Sequence, residues 1–200
     1  MSNRIITAVE GLNKFIQICK NNNVKNIIDI GAGEYKDHAR ILTENGFNVA
    51  TVDFFDNSDF VGDYMKIDLP MKYDAIWSAH VLEHQLNVNL FLEKIRNDVK
   101  EGGIVGITVP PMKPNIVGGH LTVWNAGLLL YNMTLANFDC SNAKMKRYGY
   151  NITVIVKRKD IKELPKLKFD RGDIEVLSKF FPNKMGMKQN FDGNITQFNW

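Results

Sequence analysis

One feature constrains this chain more than any other: the segment Asn26-Ile-Ile-Asp-Ile30, followed at once by Gly31-Ala32-Gly33. A short isoleucine-rich run bounded by glycines reads as a buried strand entering a tight turn. Ala39, Ile41 and Leu42 then suggest a helix that stops at Gly46, a C′ glycine. A second β-rich run, Asn48-Val-Ala-Thr-Val-Asp53, ends 20 residues past Gly33. Strand, helix and strand in that order imply a parallel sheet with right-handed crossovers. Such a sheet binds ligands beyond the carboxyl ends of its strands, so the glycine turn marks a site for a nucleotide-type ligand. Glycines there let ligand and backbone approach closely, and the following helix presents free N–H groups. Asp53 is placed to accept two ribose hydroxyls. The dinucleotide fingerprint G-x-G-x-x-G is incomplete, because Lys36 holds its third glycine position; this argues against hydride transfer.

The remaining pattern extends the alternation. Ile5, Val9, Leu12, Ile16 and Cys19 share one face of a helix that Asn21-Asn22-Asn23 ends before the first strand. A third strand is expected at Tyr64 to Asp68, a fourth at Tyr73 to Ala79 and a fifth at Ile104 to Val109, broken by Pro110-Pro111. Leu90, Phe91, Ile95 and Val99 mark the helix before Gly102-Gly103, and Leu128 to Leu135 reads as a buried helix. Lys144 to Tyr148 and Asn151 to Lys157 form a hairpin around Gly149-Tyr150, which makes that end of the sheet antiparallel. Asp173 caps a short helix through Phe180, and the last eleven residues, 190–200, read as turns. The connections Phe54 to Asp63 and Leu69 to Lys72 are short for crossover helices, so the sheet should be thinly covered there.

Two hundred residues, 44% apolar and 24% charged, fit one globular domain. A net charge of +3 is too weak a bias to argue for nucleic acid or an anionic membrane. Cys19 and Cys140 lack C-x-x-C spacing, which excludes a zinc ribbon or a disulfide framework and fits a reducing compartment. Arg4 and the polar-interrupted residues after it show no signal-peptide pattern, and no stretch reaches 18 uninterrupted apolar residues. The expectation is a cytoplasmic protein.

Asp29-Ile-Gly-Ala-Gly-Glu34 resembles the first motif of class I S-adenosylmethionine-dependent methyltransferases. The resemblance continues through Tyr73-Asp-Ala-Ile-Trp-Ser-Ala-His-Val-Leu-Glu-His84, Phe91-Leu-Glu-Lys-Ile95, Gly102-Gly103 and Ile107-Thr-Val-Pro110, and spans about residues 24 to 158. It implies an α/β, Rossmann-like, doubly wound sheet of seven strands, mostly parallel with an antiparallel C-terminal hairpin. The whole of 1–200 is then one methyltransferase domain: an N-terminal helix in 1–23, a cofactor-binding core in 24–158 with an acceptor loop at 111–124, and an extension at 159–200. The implied cofactor is S-adenosylmethionine. By motif position Asp29, Gly31, Ala32 and Gly33 line its methionine portion, Asp53 holds the ribose, Phe54 packs on the adenine, and Asp68 with Leu69 meets the adenine edge. Ser78, Ala79 and His80 sit at the cofactor mouth.

His80-Val-Leu-Glu-His84 formally matches the zinc-protease pattern H-x-x-E-H, in which two histidines one helical turn apart bind the metal and Glu83 is the base. A motif opening at the end of a buried strand within a methyltransferase-like order is better explained as the loop beside the cofactor, so no metal is expected. His84 has three readings: base at the acceptor, aromatic wall of the cofactor site, or a helix-start residue making structural hydrogen bonds. His120 follows Gly118-Gly119 in the acceptor loop and is either a substrate or catalytic group or a solvated loop residue; of the two histidines it is the preferred base. His38 is assigned no chemistry. Trp124 and Tyr131 are core residues in preference to acceptor contacts. Lys144, Lys146 and Arg147, with Lys157, Arg158 and Lys159, are solvated edge residues before they are an anion site.

The leading function is methyl transfer to a small-molecule acceptor. Gly118-Gly-His-Leu-Thr-Val-Trp124 resembles branches that modify sugars, lipids or cell-surface glycan precursors, and O-methylation is favoured. An RNA or protein methyltransferase is the rival in the same class, and a non-catalytic scaffold with this fold is the rival outside it.

Overall fold

In chain order the structure runs α1 (Val9–Asn21), β1 (Asn26–Ile30), α2 (Asp37–Glu44), β2 (Asn48–Asp53), β3 (Phe60–Val61), β4 (Tyr73–Ala79), α3 (Val88–Asp98), β5 (Val99–Val109), α4 (Ala126–Leu135), β6 (Lys144–Tyr148), β7 (Asn151–Lys157), α5 (Gly172–Leu177) and β8 (Gln197–Phe198). This computed structural model describes residues 5–182 and 190–200; Arg4 with the rest of 1–4, and residues 183–189 of the extension, lie outside the described residues.

The strands form one sheet in the order β3-β2-β1-β4-β5-β7-β6-β8. β3, β2, β1, β4 and β5 are parallel, and β7, β6 and β8 pair antiparallel. The order reverses between β1 and β4, which places the ligand crevice of a doubly wound sheet at their carboxyl ends. The face carrying Ile27, Ala75, Trp77, Ile104 and Ile155 packs under Leu12, Phe15, Ile16 and Cys19 of α1 and Leu42 of α2. The opposite face, with Ile28, Ile30, Ile76, Val105 and Val154, packs under α3, α4 and α5 through Phe91, Leu92, Leu129, Met133 and Leu177. Both cysteines are buried thiols, each pushed up to about 12 by desolvation, so they act as small apolar residues.

Three local expectations are corrected. The sheet has eight strands among the described residues rather than seven, because the C-terminal stretch read as turns lays Gln197 and Phe198 beside Lys146 and Met145. The third strand is Phe60–Val61, not Tyr64 to Asp68. Asp59 decides this: its carboxylate accepts from the Thr51 amide at 2.9 Å and the Thr51 hydroxyl at 2.7 Å, pinning the chain beside β2. Tyr64 opens a 3₁₀ turn instead, with its ring against Phe91 and its hydroxyl donating to Asp98 at 2.7 Å. The first helix begins at Val9, after Ala8 in the left-handed region, which leaves Ile5 outside it and 86% exposed. The segment His80 to His84, expected as a loop, holds a 3₁₀ turn at Leu82–His84. The thin cover over Phe54 to Asp63 and Leu69 to Lys72 is present, since no helix lies in either connection.

Gly106 of β5 is needed for close packing rather than for a turn. A Cβ there would lie 2.6 Å from Trp77 Cε3 and 2.8 Å from Phe15 Cδ2, both deep in the core. Gly106→Ala is expected to destabilise the fold by about 1 to 3 kcal/mol through overpacking, read as a lower urea midpoint with an unchanged slope.

The basic clusters are spent on structure. Lys146 pairs with Glu10, Lys159 with Asp139 at 2.7 Å, and Arg158 with Asp160 at 2.8 Å. Lys157 donates to Asn22 and Lys144 to the Asn199 carbonyl. Lys157 also pairs with Ile104 in register, which puts it at the amino end of β5, away from the crevice. Trp124 is buried in the core, and Tyr131 stacks on Phe181.

Candidate active site

Two lobes of one cleft open above the carboxyl ends of β1, β2 and β4. The first, about 610 Å³, is lined by Gly31, Asp53, Phe54, Asp63, Met65 and Asn87 among others. The second, about 440 Å³, is lined by Ala32, Gly33, Ala79, Glu83, His120 and Tyr150 among others. Gly31, His80 and His84 belong to both. Each volume lies within the range of roughly 300–1,000 Å³ that small-ligand sites occupy.

The glycine turn has the geometry its sequence requires. Gly31 and Gly33 have φ of 75° and 70°, the left-handed region that side chains disfavour. A Cβ on Gly31 would collide with Val81, whereas Gly33 faces open space where a ligand can approach the backbone. Lys36, at the missing third glycine, adopts φ of 50° all the same, and its ammonium reaches the Asn57 carbonyl. Asp53 accepts the Gly33 amide at 2.7 Å through Oδ2 and the Phe54 amide at 2.7 Å through Oδ1. Each oxygen keeps a second lone pair, so the carboxylate, which lines the first lobe, shapes the turn and retains the capacity to accept hydroxyls.

Asp29 is 1% exposed, and its Oδ2 has no hydrogen-bond partner among the described residues. Desolvation, with the charge of Asp53 adding to it, pushes this carboxyl up to about 7 against a hydrogen bond from the Ala39 backbone. Asp29 lies behind the glycine turn and is not among the residues lining either lobe, so its half-satisfied carboxyl fits the ammonium end of S-adenosylmethionine only at the floor of the cleft, while Asp53, which lines the first lobe, fits the ribose end. Phe54 is 73% exposed at the rim of the first lobe. Ala32 and Ala79 line the second lobe, while Ser78 is buried with an unpartnered hydroxyl.

Asp68 and Leu69 are not among the residues lining the cleft. Asp63 and Met65 line it where those two were expected, and Asp63 Oδ1 caps the turn by accepting the Met65 amide at 3.0 Å. The displaced third strand explains the shift. Gly62-Asp63 was the available signal: a glycine, here at φ 136°, followed by a capping acid ends the strand seven residues earlier than expected.

His80 has φ of 58°. Its Nε2 lies 2.9 Å from Asn151 Oδ1 and its Nδ1 3.3 Å from Glu83 Oε1. Burial works to lower its pKa, but the Glu83 carboxylate and Asn151 carry it above the ordinary histidine value. His84 Nδ1 donates to the Gly119 carbonyl at 2.8 Å. Its ring packs so closely on Gly119 that a Cβ there would lie 3.3 Å from Nδ1. The Leu121 and Thr122 amides both donate to the Glu83 carbonyl, at 2.8 and 3.2 Å, and stitch the loop to the 3₁₀ turn. His120 thereby meets His84 edge to face, with ring centroids 5.0 Å apart. His38 is structural: Nε2 donates to the Thr7 carbonyl and Nδ1 accepts from the Trp77 indole at 3.1 Å.

A parallel sheet in this order, a glycine turn and an acid ending the second strand define the class: the Rossmann-like fold of S-adenosylmethionine-dependent methyltransferases. The chain belongs to the methyltransferase domain family, whose model matches residues 4–152. Among solved structures it resembles 1,6-didemethyltoxoflavin-N1-methyltransferase of Burkholderia thailandensis, crystallised with S-adenosylhomocysteine, at 15% identity and a TM-score of 0.62 over 78% of this chain and 80% of that one. Magnesium protoporphyrin IX methyltransferase of Synechocystis PCC 6803 matches at 11% identity and a TM-score of 0.58, over 80% of this chain and 90% of that one. The N-methyltransferase NodS of Bradyrhizobium japonicum WM9 matches at 14% identity and 0.58, over 76% and 87%. No curated protein sequence matches the chain. Among the described residues no helix is long and apolar enough to cross a membrane.

Asp53→Ala is expected to weaken S-adenosylmethionine binding by about 1.5 to 3 kcal/mol, roughly 10- to 150-fold, by removing a charged acceptor and loosening Gly33. Calorimetric titration of the folded variant checks it. An unchanged affinity takes Asp53 out of the site.

Proposed function

We propose that the protein methylates a hydroxyl of a small-molecule acceptor, with a sugar, lipid or cell-surface glycan precursor as the first candidate class, in the cytoplasm. One observation carries this reading: the lobe at Asp53 and the lobe at His120 share Gly31, His80 and His84, so a donor whose ribose lies at Asp53 extends its methionine end along Gly31 toward Gly33, into the lobe that an acceptor enters. The three proteins described above act, by their names, on 1,6-didemethyltoxoflavin at N1, on magnesium protoporphyrin IX and at nitrogen, and all three were crystallised with S-adenosylhomocysteine.

When bound, S-adenosylmethionine supplies a methyl carbon on a positively charged sulfur, and the acceptor oxygen takes that carbon as the S–C electron pair returns to sulfur. The chain supplies placement. Gly31 and Gly33 give the close approach, Asp29 and Asp53 hold the polar ends, and Phe54 with Met65 provides apolar cover for the base. Holding the attacking atom near 3 Å and in line contributes about 7 to 11 kcal/mol. The group of His84, His120 and Glu83 at the second lobe receives the acceptor hydroxyl and disposes of its proton. The modest charge of +3 and the commitment of the lysine clusters to structural pairs favour a small acceptor over RNA.

Mass spectrometry of ligands retained by the purified protein is the first test, followed by incubation with methyl-labelled donor and fractions of hydroxylated small molecules. Retained donor or its demethylated product, with label transferred to oxygen, is the expected result. A protein that binds neither nucleoside ends this reading.

A further inference from the structure

We propose that Glu83, His84 and His120 hold one divalent transition-metal cation at the wall of the second lobe. One donor atom from each residue lies within 4.8 Å of the others, although 36 residues separate the two histidines. All three residues line the same cavity.

Two further observations point to a cation. Glu83 is 0% exposed, and its Oε2 has no hydrogen-bond partner among the described residues. A buried carboxylate in that condition is costly unless a cation compensates it. His80 Nδ1 faces Oε1 at 3.3 Å, and Oε2 keeps no partner among the described residues. The second observation is the tautomer of His84. A carbonyl oxygen only accepts, so the 2.8 Å contact with Gly119 puts the proton on Nδ1. In the neutral ring the lone pair is then on Nε2, 3.8 Å from Glu83 Oε1. A cation between these two atoms fits the gap with bonds of about 2.0–2.2 Å from each, the same gap that a proton on Nε2 would otherwise bridge. A histidine whose far nitrogen donates to a backbone carbonyl is the usual support of a metal ligand. His120 sits on a loop beside Gly118 and Gly119, whose freedom lets its ring close the remaining distance.

The donor set selects the ion. Two imidazoles and one carboxylate suit zinc, manganese, cobalt or ferrous iron, whereas magnesium and calcium prefer all-oxygen surroundings. Glu83 acts here as a ligand, and His80, turned to Asn151, lies outside the set; this differs from the H-x-x-E-H arrangement in both respects. Three protein ligands leave coordination positions toward the cleft. Resting on the reading above, those positions suit an acceptor with two adjacent oxygen donors, such as a vicinal diol.

The test strips the purified protein with chelator and titrates it with zinc by calorimetry and with cobalt by visible absorption. One equivalent of each is expected, with cobalt bands showing nitrogen and oxygen ligation. Glu83→Gln and His120→Ala should each weaken binding at least about tenfold. If Glu83→Gln does not fold, His120→Ala, on an accessible loop, carries the comparison. Absence of stoichiometric binding, or binding that His120→Ala leaves unchanged, overturns the site. Donor affinity measured on the same samples separates the two proposals: S-adenosylmethionine bound by a protein that takes up no cation overturns the metal site alone.

Discussion

His120→Ala is expected to lower turnover on the identified acceptor by about 10²- to 10⁴-fold, or about 3 to 5 kcal/mol, while leaving S-adenosylmethionine affinity within about twofold. The asymmetry follows from where the side chain sits. His120 lines only the second lobe, against His84, and does not line the lobe of Asp53 and Phe54. His120→Asn should behave like alanine, because an amide neither takes a proton at neutral pH nor replaces an imidazole as a ligand. His84→Ala tests the other half of the pair and carries a structural cost, since it also releases the Gly119 carbonyl and the loop it holds. Comparing kcat with donor affinity in both variants decides the matter. If His84 and His120 variants both keep wild-type turnover, placement alone carries the reaction and neither histidine handles the acceptor.

The second large effect concerns Asp29 and has a definite sign with pH. Its carboxyl is raised in the folded protein to about 7 from an ordinary value of 3.8. A raised acid contributes its full stability below the unfolded value, and that contribution is lost as pH rises through the folded one. The loss runs from about pH 4 to pH 7 and reaches about 4 kcal/mol, because each pH unit between the two values is worth about 1.36 kcal/mol. Asp29→Asn cannot ionise, so the stability difference between variant and wild type in the donor-free protein should change by about 3 to 4 kcal/mol in the variant's favour from pH 4 to pH 8. The amide leaves a buried N–H₂ to satisfy, which limits the net gain at pH 8 to about 1 to 3 kcal/mol. Urea unfolding at the two pH values measures it. Donor affinity should move the other way, because the variant has lost the charge that would meet the donor's ammonium. A stability difference that stays constant across this range would show that Asp29 ionises as freely when folded as when unfolded.

These two residues also divide what was legible in the sequence from what was not. Asp29, the glycine turn and Asp53 could be read directly, because the chemistry is local: a short apolar run makes the strand, Gly31 and Gly33 take backbone angles that side chains disfavour, and an acid ending the next strand falls beside them in a parallel pair. The β6–β7 hairpin around Gly149 was legible for the same reason. The third strand was not, since Tyr64 to Asp68 has the right residue types for a strand. What displaced it was the bond of Asp59 to Thr51 and the burial of Tyr64 against Phe91 and Asp98, none of which a short window of sequence reveals. With that strand went the assignment of Asp68 and Leu69, and Asp63 with Met65 took the place beside the cleft.

The histidine cluster shows the same boundary most sharply. From sequence alone, the spacing of His80 and His84 offered a helical pair, and His120 was a loop histidine of open role. A backbone at φ 58° turned His80 to Asn151, and two amides of the acceptor loop, bound to the Glu83 carbonyl, brought His120 to His84. The sequence by itself determined the class of sheet, the glycine turn and the acid beside it, because each is set by short-range backbone preference and hydrophobic pattern. Only the tertiary structure decided which imidazole faces which carboxylate, because that depends on hydrogen bonds between segments about 36 residues apart, which no local preference encodes.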